Sequence, residues 1–424
     1  MASPPLTTAT TTAAAAAKSA AVFTVSRAAF QPRQTFDVSP NIPRSFYLGH
    51  HHAGLARMRQ TLSNIGLIIE CRDFRVPLTS WNPLLERSLA AAANPSERAR
   101  IIVYTHRDLA PSTRAAATAA ARLRDFHLAH RHAAAVLFTG AGPSHARATR
   151  DLLDAIKHVA RARDALTGTR ALVVGMPNAG KSTVLNALRR RAVRAAEAKN
   201  AAAGESTSTS KKVAKVARTG ANPGVTRRLS SPVRIVGPEG SEEGDAGVGE
   251  GVFLVDTPGV FVPYVSDPER MLKLALVGCV KDGVVPKETL ADYLLFRLNL
   301  AAAAGAGGCA DDGSAYVSRL GMDGPTNDVG EFLEAVARRV GKVAKGGRPN
   351  YEAAAEWAVQ EWRGGGLGKL LLDEVTPETL AREVEASKEE TLSLNQARKR
   401  EKEARKARKE ARRLGISGGE DQDA

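Results

Sequence analysis

The chain has 424 residues, of which 60 are Lys or Arg and 45 are Asp or Glu, so its formal net charge is +15. This length allows two or three domains, and the basic balance favours a polyanionic partner, either nucleic acid or an anionic membrane surface. No apolar run approaches the length of a membrane span, so we expect no transmembrane segment. The three cysteines match no metal or redox spacing, which indicates reduced thiols.

The first 38 residues contain three basic side chains, many Ser, Thr and Ala, and no acidic residue before Asp37. Mitochondrial and plastid transit peptides have this cationic composition. We therefore predict a mitochondrial transit peptide over residues 1–38, with a disordered Ala/Thr-rich leader as the alternative.

Six short apolar runs rich in β-branched residues follow, and each ends in a polar or Gly-rich turn. They are "NIGLIIECRD", "RIIVYTHRD", "AAVLFTG", "RALVVG", "SPVRIVG" and "GVFLVDTPG". Helical patterns separate most of them, which predicts an α/β domain over residues 39–265, with a mostly parallel sheet and helices on both faces. Residues 189–221 have little apolar periodicity and are predicted to form a mobile loop.

The pattern after residue 265 is helical, without a competing strand signal, and predicts a smaller all-helical domain over residues 266–378. Residues 379–424 form a charged tail that contains "ARKREKEARKARKEARR", a basic helix former without an apolar face. We expect this tail to contact RNA phosphates; a solvated charged helix is the alternative. The basic residues of this run include Arg398, Lys399, Arg400, Lys402, Arg405, Lys406, Arg408 and Lys409.

The stretch "GMPNAGKST" directly follows the predicted strand "RALVV", precedes a helical pattern, and satisfies G-x-x-x-x-G-K-[ST]. In this context backbone N–H groups of the loop and of the helix N-terminus point at phosphate oxygens, and Lys181 adds a positive charge. The Ser182 hydroxyl is a candidate Mg²⁺ ligand. The predicted nucleotide contacts of this loop are Asn178, Ala179, Gly180, Lys181, Ser182 and Thr183.

Two later elements complete a switch that senses the γ-phosphate. Asp256 ends the strand "GVFLV", where a carboxylate holds Mg²⁺, usually through water. Gly259 follows in the same turn, and its amide can approach the γ-phosphate because no side chain blocks it. Thr226, in "NPGVTRRLS", is the natural second hydroxyl ligand in the triphosphate state. We therefore expect Ser182, Thr226 and Asp256 to hold the metal, with Lys181 and Thr226 among the catalytic residues.

A base-reading sequence of the N-K-x-D kind is missing after the "DTPG" turn. Before the phosphate loop, however, one predicted strand ends at Thr105, His106 and Asp108, and the next ends at Thr139 and Gly140. Base reading therefore precedes phosphate binding, and the motifs of a P-loop GTPase are circularly permuted to the order fourth–fifth–first–second–third. Each motif still occupies the carboxyl end of a parallel strand, where ligands bind in open α/β sheets.

These motifs and their order resemble the circularly permuted GTPases of the YlqF/RbgA type, and most closely their mitochondrial members. The resemblance runs from about residue 46 to about residue 373 and includes "GLIIECRDFRVPLTSWNP", "PGVTRRLSSPVRI" and "WRGGGLGKLLLDE". It implies a hydrolase of GTP that uses Mg²⁺ and binds the large ribosomal subunit and its rRNA during late assembly. The mitochondrial members act in the matrix, peripherally on the inner membrane.

Two alternatives stay open at this point. One is a GTP-dependent rRNA-binding factor in which hydrolysis is incidental, and the other is a permuted GTPase that serves cytosolic or nucleolar subunits.

The sequence departs from the family at the base-reading turn, where Thr105 and His106 stand in place of Asn and Lys. Asp108 keeps the two acceptors that recognise guanine, so we expect guanine specificity with weaker affinity, and His106 stacking on the base. Val260 occupies the position at which Ras-like switches carry the Gln that orients the attacking water.

Two residues are candidates to replace that glutamine. His50 matches the histidine of the family's N-terminal G-H-M motif and would act on the attacking water; a positioning or RNA-contacting histidine is the alternative. Asn178 would help to hold K⁺, whose charge substitutes for an arginine finger; simple hydrogen bonding within the loop is the alternative. A metal site at His51 and His52 is a weaker idea, since no third ligand stands out.

Overall fold

The structure is a computed structural model. It describes residues 30–39, 41–45, 49–91, 98–130, 132–142, 144–202, 232–238, 248–262, 264–304, 315–344, 346–388, 395–396, 399–400, 402–403 and 406. Met1–Gln31 and Pro32–Ala424 are two separate units. Most of the predicted transit peptide, Thr226 and most of the basic tail lie outside the described residues.

Six strands form one sheet in the order β3-β2-β1-β4-β6-β5. They are β1 (Leu67–Asp73), β2 (Ala99–Thr105), β3 (Ala135–Phe138), β4 (Thr169–Gly175), β5 (Val233–Val236) and β6 (Val252–Asp256). Neighbouring strands pair in parallel except at one edge, where β5 runs antiparallel to β6. Each strand coincides with one of the six apolar runs, so the predicted mostly parallel α/β sheet is confirmed.

Helices cover both faces of this sheet. Those that precede β6 are α1 (Gly49–Thr61), α2 (Pro83–Ala90), α3 (Arg114–Ala129), α4 (Ser144–Arg163) and α5 (Lys181–Ala202). Alternate residues of β1, such as Leu67 and Ile69, pack with α4 and α5 on one face. Apolar residues of α1, α2 and α3 cover the other face. Both faces are therefore buried, which explains the near-continuous apolar strands.

The chain after β6 forms the helices α6 (Pro268–Leu276), α7 (Lys287–Ala304), α8 (Ala315–Leu320), α9 (Val329–Val340), α10 (Tyr351–Arg363) and α11 (Pro377–Lys388). Their buried cluster also includes Val76, Met176 and Phe261 from the α/β part. The helices thus share a core with the phosphate-loop end of the sheet. The boundary between residues 265 and 266 stays a prediction. In the described ranges, no helix is long and apolar enough to cross a membrane.

The prediction of a mobile loop over residues 189–221 is wrong for its first part, because α5 continues to Ala202. Residues 189–202 consist mainly of Ala, Arg, Lys and Glu, which have high helix propensity. Leu185 and Leu188 are fully buried and hold the preceding turns against the sheet. Propensity and this anchoring outweigh the weak apolar periodicity. Residues 203–231 lie outside the described part of the chain.

Four charged side chains form a buried network on the α2 face of the sheet. Arg72 donates to Glu70 at 2.7 Å and to Glu86 at 3.1 Å, and Arg100 donates to the same two carboxylates. Trp81 adds an indole N–H bond to Glu86 at 2.6 Å. Two acids and two bases balance, so β1, β2 and α2 are joined without a net buried charge. Burial raises the pKa of Glu86, but Arg100 and Arg72 outweigh burial and lower this pKa to about 2.

We expect the free energy of unfolding to fall as pH is lowered from about 4.5 to about 2. The sign follows because the folded pKa of Glu86 lies below its unfolded value, so unfolding takes up a proton in this window. Glu86→Gln should lose this part of the pH dependence and cost about 3 kcal/mol at pH 7, since it breaks a buried ion pair. Urea unfolding across this pH range measures both effects, with Glu288→Gln, an exposed acid on α7, as the control. An unchanged slope in Glu86→Gln would contradict the network.

A candidate nucleotide-binding site

The phosphate loop lies at the carboxyl end of β4 in a conformation that few side chains tolerate. Gly175, Asn178 and Gly180 all have positive φ angles, 143°, 56° and 75°. A Cβ at Gly175 would clash with the carbonyl oxygen of Cys71 on the neighbouring strand β1, and a Cβ at Gly180 would come within 3.0 Å of the Thr105 methyl group. The glycines of the predicted motif are therefore required by close approach of β1 and β2.

Lys181 begins α5 and folds its side chain back over the loop. Its Nζ donates to the carbonyl oxygen of Met176 at 2.6 Å, and the residue is buried. Burial lowers the pKa of Lys181, while the neighbouring Asp256 opposes this shift. The ammonium group therefore lies inside the loop, where a bound phosphate would meet it.

Asp256 ends β6 beside the loop, fully buried. The Ser182 hydroxyl donates to its Oδ2 at 3.1 Å. Burial raises the pKa of Asp256, and Lys181 and Ser182 oppose this rise. A hydroxyl and a carboxylate oxygen this close, next to the phosphate loop, are oxygen donors of the kind that Mg²⁺ prefers. These two residues therefore fit a magnesium ion.

The "DTPG" turn after β6 is held against the phosphate loop. The Val260 N–H donates to the Gly175 carbonyl at 3.1 Å, and a Cβ at Gly259 would come within 2.7 Å of the Pro177 Cα. Val260 itself is buried among apolar residues of α1 and β4. An apolar, buried side chain at this position cannot orient a water molecule.

Helix α1 runs next to the same turn. A Cβ at Gly54 would lie 3.3 Å from the Pro258 Cβ, so the backbones approach closely. His50 belongs to the first turn of α1, one turn before Gly54. The side chains of His50, His51 and His52 lie outside the described residues. The helix that carries the predicted catalytic histidine thus packs on the turn that contains Pro258.

The predicted base-reading turns meet at the neighbouring strand ends. Asp108 lies in a short 3₁₀ turn after β2, and the preceding Arg107 N–H donates to the Thr139 carbonyl at 3.0 Å. Gly140 abuts the Asp108 carboxylate so closely that a Cβ there would clash with it. The Thr105 hydroxyl lies 3.1 Å from the carbonyl oxygen of Ala179 in the phosphate loop. Thr105 thus joins the first of the two predicted base-reading turns to the loop that carries Lys181, and Arg107 joins the second turn to the first.

His106 has a left-handed backbone, with φ 55°, and its imidazole faces β1. The ring Nδ1 lies 3.2 Å from the Asp73 carboxylate and 3.1 Å from the Thr105 hydroxyl. Burial raises the pKa of Asp73, but Arg75 and His106 outweigh burial and hold this pKa well below its ordinary value. Asp73 and Arg75 are not among the predicted site residues. The sequence feature that could have identified them is an acidic and a basic residue close together at the end of an apolar run, in "ECRDFR".

Asn178 links the phosphate loop to the helical part. Its side-chain amide donates to the Gly278 carbonyl, just after α6, at 2.7 Å. Arg363 of α10 donates to the carbonyls of Ala275 and Leu276 in the same segment at 2.8 and 2.9 Å. The end of α6 is therefore held from the loop on one side and from α10 on the other.

A mostly parallel sheet with a phosphate loop after β4 and a carboxylate at the end of β6 defines the class of P-loop nucleotide-binding proteins, and the comparison with known families gives the GTPases within it. A family model described as 50S ribosome-binding GTPase matches residues 170–285.

Similar proteins give the family. Mitochondrial GTPase 1 of Schizosaccharomyces pombe is 33% identical over 362 residues, which cover 82% of this chain and 94% of that protein. Mitochondrial ribosome-associated GTPase 1 of Xenopus tropicalis is 29% identical over 370 residues, covering 82% of this chain and 100% of that protein. The GDP-bound structure of TM YlqF aligns with 76% of this chain and 99% of its own, with a TM-score of 0.41 and 19% identity. On the basis of its sequence relatives, the chain belongs to the mitochondrial GTPase 1 family.

Proposed function

We propose that this protein hydrolyses GTP and acts in assembly of the large mitochondrial ribosomal subunit, which it binds in a nucleotide-dependent way. The observation that carries this proposal is the contact of Thr105 with the phosphate loop, 3.1 Å from the Ala179 carbonyl. This contact joins the end of the strand that precedes Asp108 to the loop that carries Lys181, which supports a single site for a guanine nucleotide. The names of the similar proteins, mitochondrial GTPase 1 and mitochondrial ribosome-associated GTPase 1, support the compartment and the partner.

In this proposal the guanine motifs are circularly permuted, and the base is read by the turns that precede the phosphate loop. Asp108 accepts hydrogen bonds from guanine N1–H and N2–H, and Thr139 and Gly140 shape the other side of the base pocket. The strand order supports the permutation, because β2 and β3 precede β4 in the chain yet end at the same edge of the sheet. His106, tied to Asp73, would have to leave that carboxylate to stack on the base.

Asp108→Asn should weaken GTP binding by roughly a hundredfold, because the hydrogen bond from N1–H loses its charged acceptor and the bond from N2–H is replaced by two donors that face each other. Xanthosine triphosphate should lose less affinity than GTP, since its O2 accepts a hydrogen bond from the introduced amide. Fluorescence titration with both nucleotides and with ATP measures the change. Asp125→Asn on the exposed side of α3 is the matched control. Unchanged discrimination between GTP and ATP in Asp108→Asn would remove the assignment of this carboxylate.

For hydrolysis, we assign Ser182, Asp256 and Thr226 as the residues that hold Mg²⁺. When bound there, the ion would supply positive charge that offsets the charge of the phosphates. Lys181, inside the loop, binds the same phosphates, and the amides of residues 179–183 and of Gly259 orient them. Because charge stabilisation is most of phosphoryl-transfer catalysis, these positioned groups account for basal turnover.

Val260 cannot orient the attacking water, so two other groups are assigned to that step. We propose that His50 accepts a proton from the attacking water or orients that water. We also propose that Asn178 contributes to a K⁺ site in the loop. Packing of α1 on Pro258 supports the first role, because it brings the His50 turn to the switch. The hydrogen bond of Asn178 to Gly278 supports a fixed orientation of the amide.

A single factorial experiment tests both roles. GTP turnover stimulated by large mitochondrial subunits should fall by at least about tenfold in His50→Ala, as expected for a lost general base. It should also fall when NaCl replaces KCl, and this cation effect should be absent in Asn178→Ala. Basal GDP affinity of each variant reports on folding. Equal turnover in the two salts removes the K⁺ site, and undiminished turnover in His50→Ala removes the histidine.

The proposed partner is the large mitochondrial subunit and its rRNA, contacted in part by the basic tail, on the matrix side of the inner membrane. The next helix after the switch turn is α6, and the carbonyl of Gly278, just after α6, accepts a hydrogen bond from Asn178 of the phosphate loop. This continuity supports a coupling in which the γ-phosphate alters the helical part and so the affinity for the subunit.

Co-sedimentation with purified large mitochondrial subunits tests the function. We expect a non-hydrolysable GTP analogue to increase the bound fraction several-fold over GDP, as typical coupling energies of 1–3 kcal/mol allow. Lys181→Ala should lose this difference because it cannot hold the phosphates. Equal binding in both nucleotide states would contradict the proposal.

The buried Val260 favours a second candidate, in which GTP only stabilises an rRNA-binding conformation and hydrolysis is incidental. Subunit assembly that proceeds normally with a variant that binds GTP but does not hydrolyse it would support this candidate over the first.

A further inference from the structure

A groove between α4 and α5 carries a cluster of arginines that has no part in the nucleotide site. Arg190, Arg191 and Arg194 line it from α5, and His145 and Thr149 line it from α4. Its volume is about 360 Å³, and alanines make up the rest of its walls. The three arginines belong to the part of α5 for which the sequence predicted a loop.

No residue that the structure describes neutralises the three guanidinium groups. Within the described residues, Arg190, Arg191 and Arg194 have no hydrogen-bond or ion-pair partner, and the lining of the groove contains no carboxylate. Elsewhere in the described chain, buried arginines such as Arg72 and Arg75 are paired with acids. Like charges held together on one helix destabilise it unless an anion balances them. The cluster therefore has the charge and the vacant bonding capacity for an anionic partner.

The groove adjoins the base-reading turn. The His145 Nδ1 lies 2.9 Å from the Gly140 carbonyl oxygen, and the Thr149 hydroxyl donates to the His145 carbonyl at 2.7 Å. Gly140 in turn abuts Asp108. An occupant of the groove would thus lie on the surface directly beside the turn assigned to guanine.

We propose that this groove, which we call the α4–α5 groove, binds the phosphate backbone of RNA. The inference rests on the proposed function, in which the partner contains rRNA, and it assigns one contact surface. Arginine forks match phosphate oxygens in pairs, so three of them suit successive phosphates of one strand. The concave shape and the small alanine walls admit a phosphodiester chain between the helices, whereas a flat lipid surface would reach only the rims.

The test compares two triple variants of the full chain. The groove variant carries Arg190→Gln, Arg191→Gln and Arg194→Gln, because glutamine keeps helix propensity. The control variant carries Arg114→Gln, Arg339→Gln and Arg382→Gln, three exposed arginines on other helices, so both lose the same charge. Binding of a fluorescein-labelled RNA hairpin is titrated at several salt concentrations, with GDP affinity as the folding check.

We expect the groove variant to bind the hairpin roughly tenfold more weakly than the control variant, and its salt slope to decrease by about two to three, as three lost phosphate contacts imply. GDP affinity should be unchanged in both variants. If wild type binds the hairpin and the two variants do not differ, the groove assignment is wrong while RNA binding stands. If wild type does not bind RNA at all, the proposed function itself fails.

Vesicles containing phosphatidylserine provide the remaining comparison. If the groove variant loses vesicle binding but keeps RNA binding, the ligand is a membrane and the inference is overturned.

Discussion

The contact between the Thr105 hydroxyl and the Ala179 carbonyl joins two segments that lie 74 residues apart in the chain. It forms because β1 lies between β2 and β4 in parallel register, with Asp73 opposite Thr105 and Cys71 opposite Gly175. Parallel strands that end together bring their following turns to one edge of the sheet. The arrangement of the whole candidate site depends on this register, since a shift of one residue would turn the Thr105 side chain to the other face.

Beneath this edge, an ion-paired arginine and a buried carboxylate connect the sheet to the helical part. Arg75 is bonded to Asp73 at 2.8 Å and lies over the ring of Trp362 on α10 at 5.3 Å. Asp373, beyond α10, accepts from the backbone N–H groups of Leu78 and Thr79 at 2.9 and 2.7 Å. Removing either partner of such a pair leaves a buried charge or donor unsatisfied. The helices that follow β6 are therefore bound to the segment at the end of β1, whose Asp73 also contacts His106.

The strands and the phosphate loop could be predicted because their signals are local: β-branched runs bounded by turns, and a glycine pattern between a strand and a helix. The second half of α5 could not be predicted, because residues 189–202 show no apolar face. Their helix propensity indicates a helix, but their many small and basic residues are also typical of a loop. The same error concealed the α4–α5 groove, whose arginines come together in space only once α5 continues as a helix beside α4. Hydrogen bonding within the loop is one of the roles predicted for Asn178, but its side-chain amide also donates to the carbonyl of Gly278, which lies 100 residues away in the chain.

The sequence by itself determined the fold class, the six strands and the candidate phosphate and metal residues, since each depends on spacing within a few residues. Only the tertiary structure decided that Asp73 contacts His106, that α1 packs on Pro258, and that three arginines without a partner among the described residues line one groove. These facts depend on register and on the crossing of helices, which bring together side chains from distant parts of the chain. Local spacing carries no information about such pairs, because burial and charge balance are properties of the assembled core.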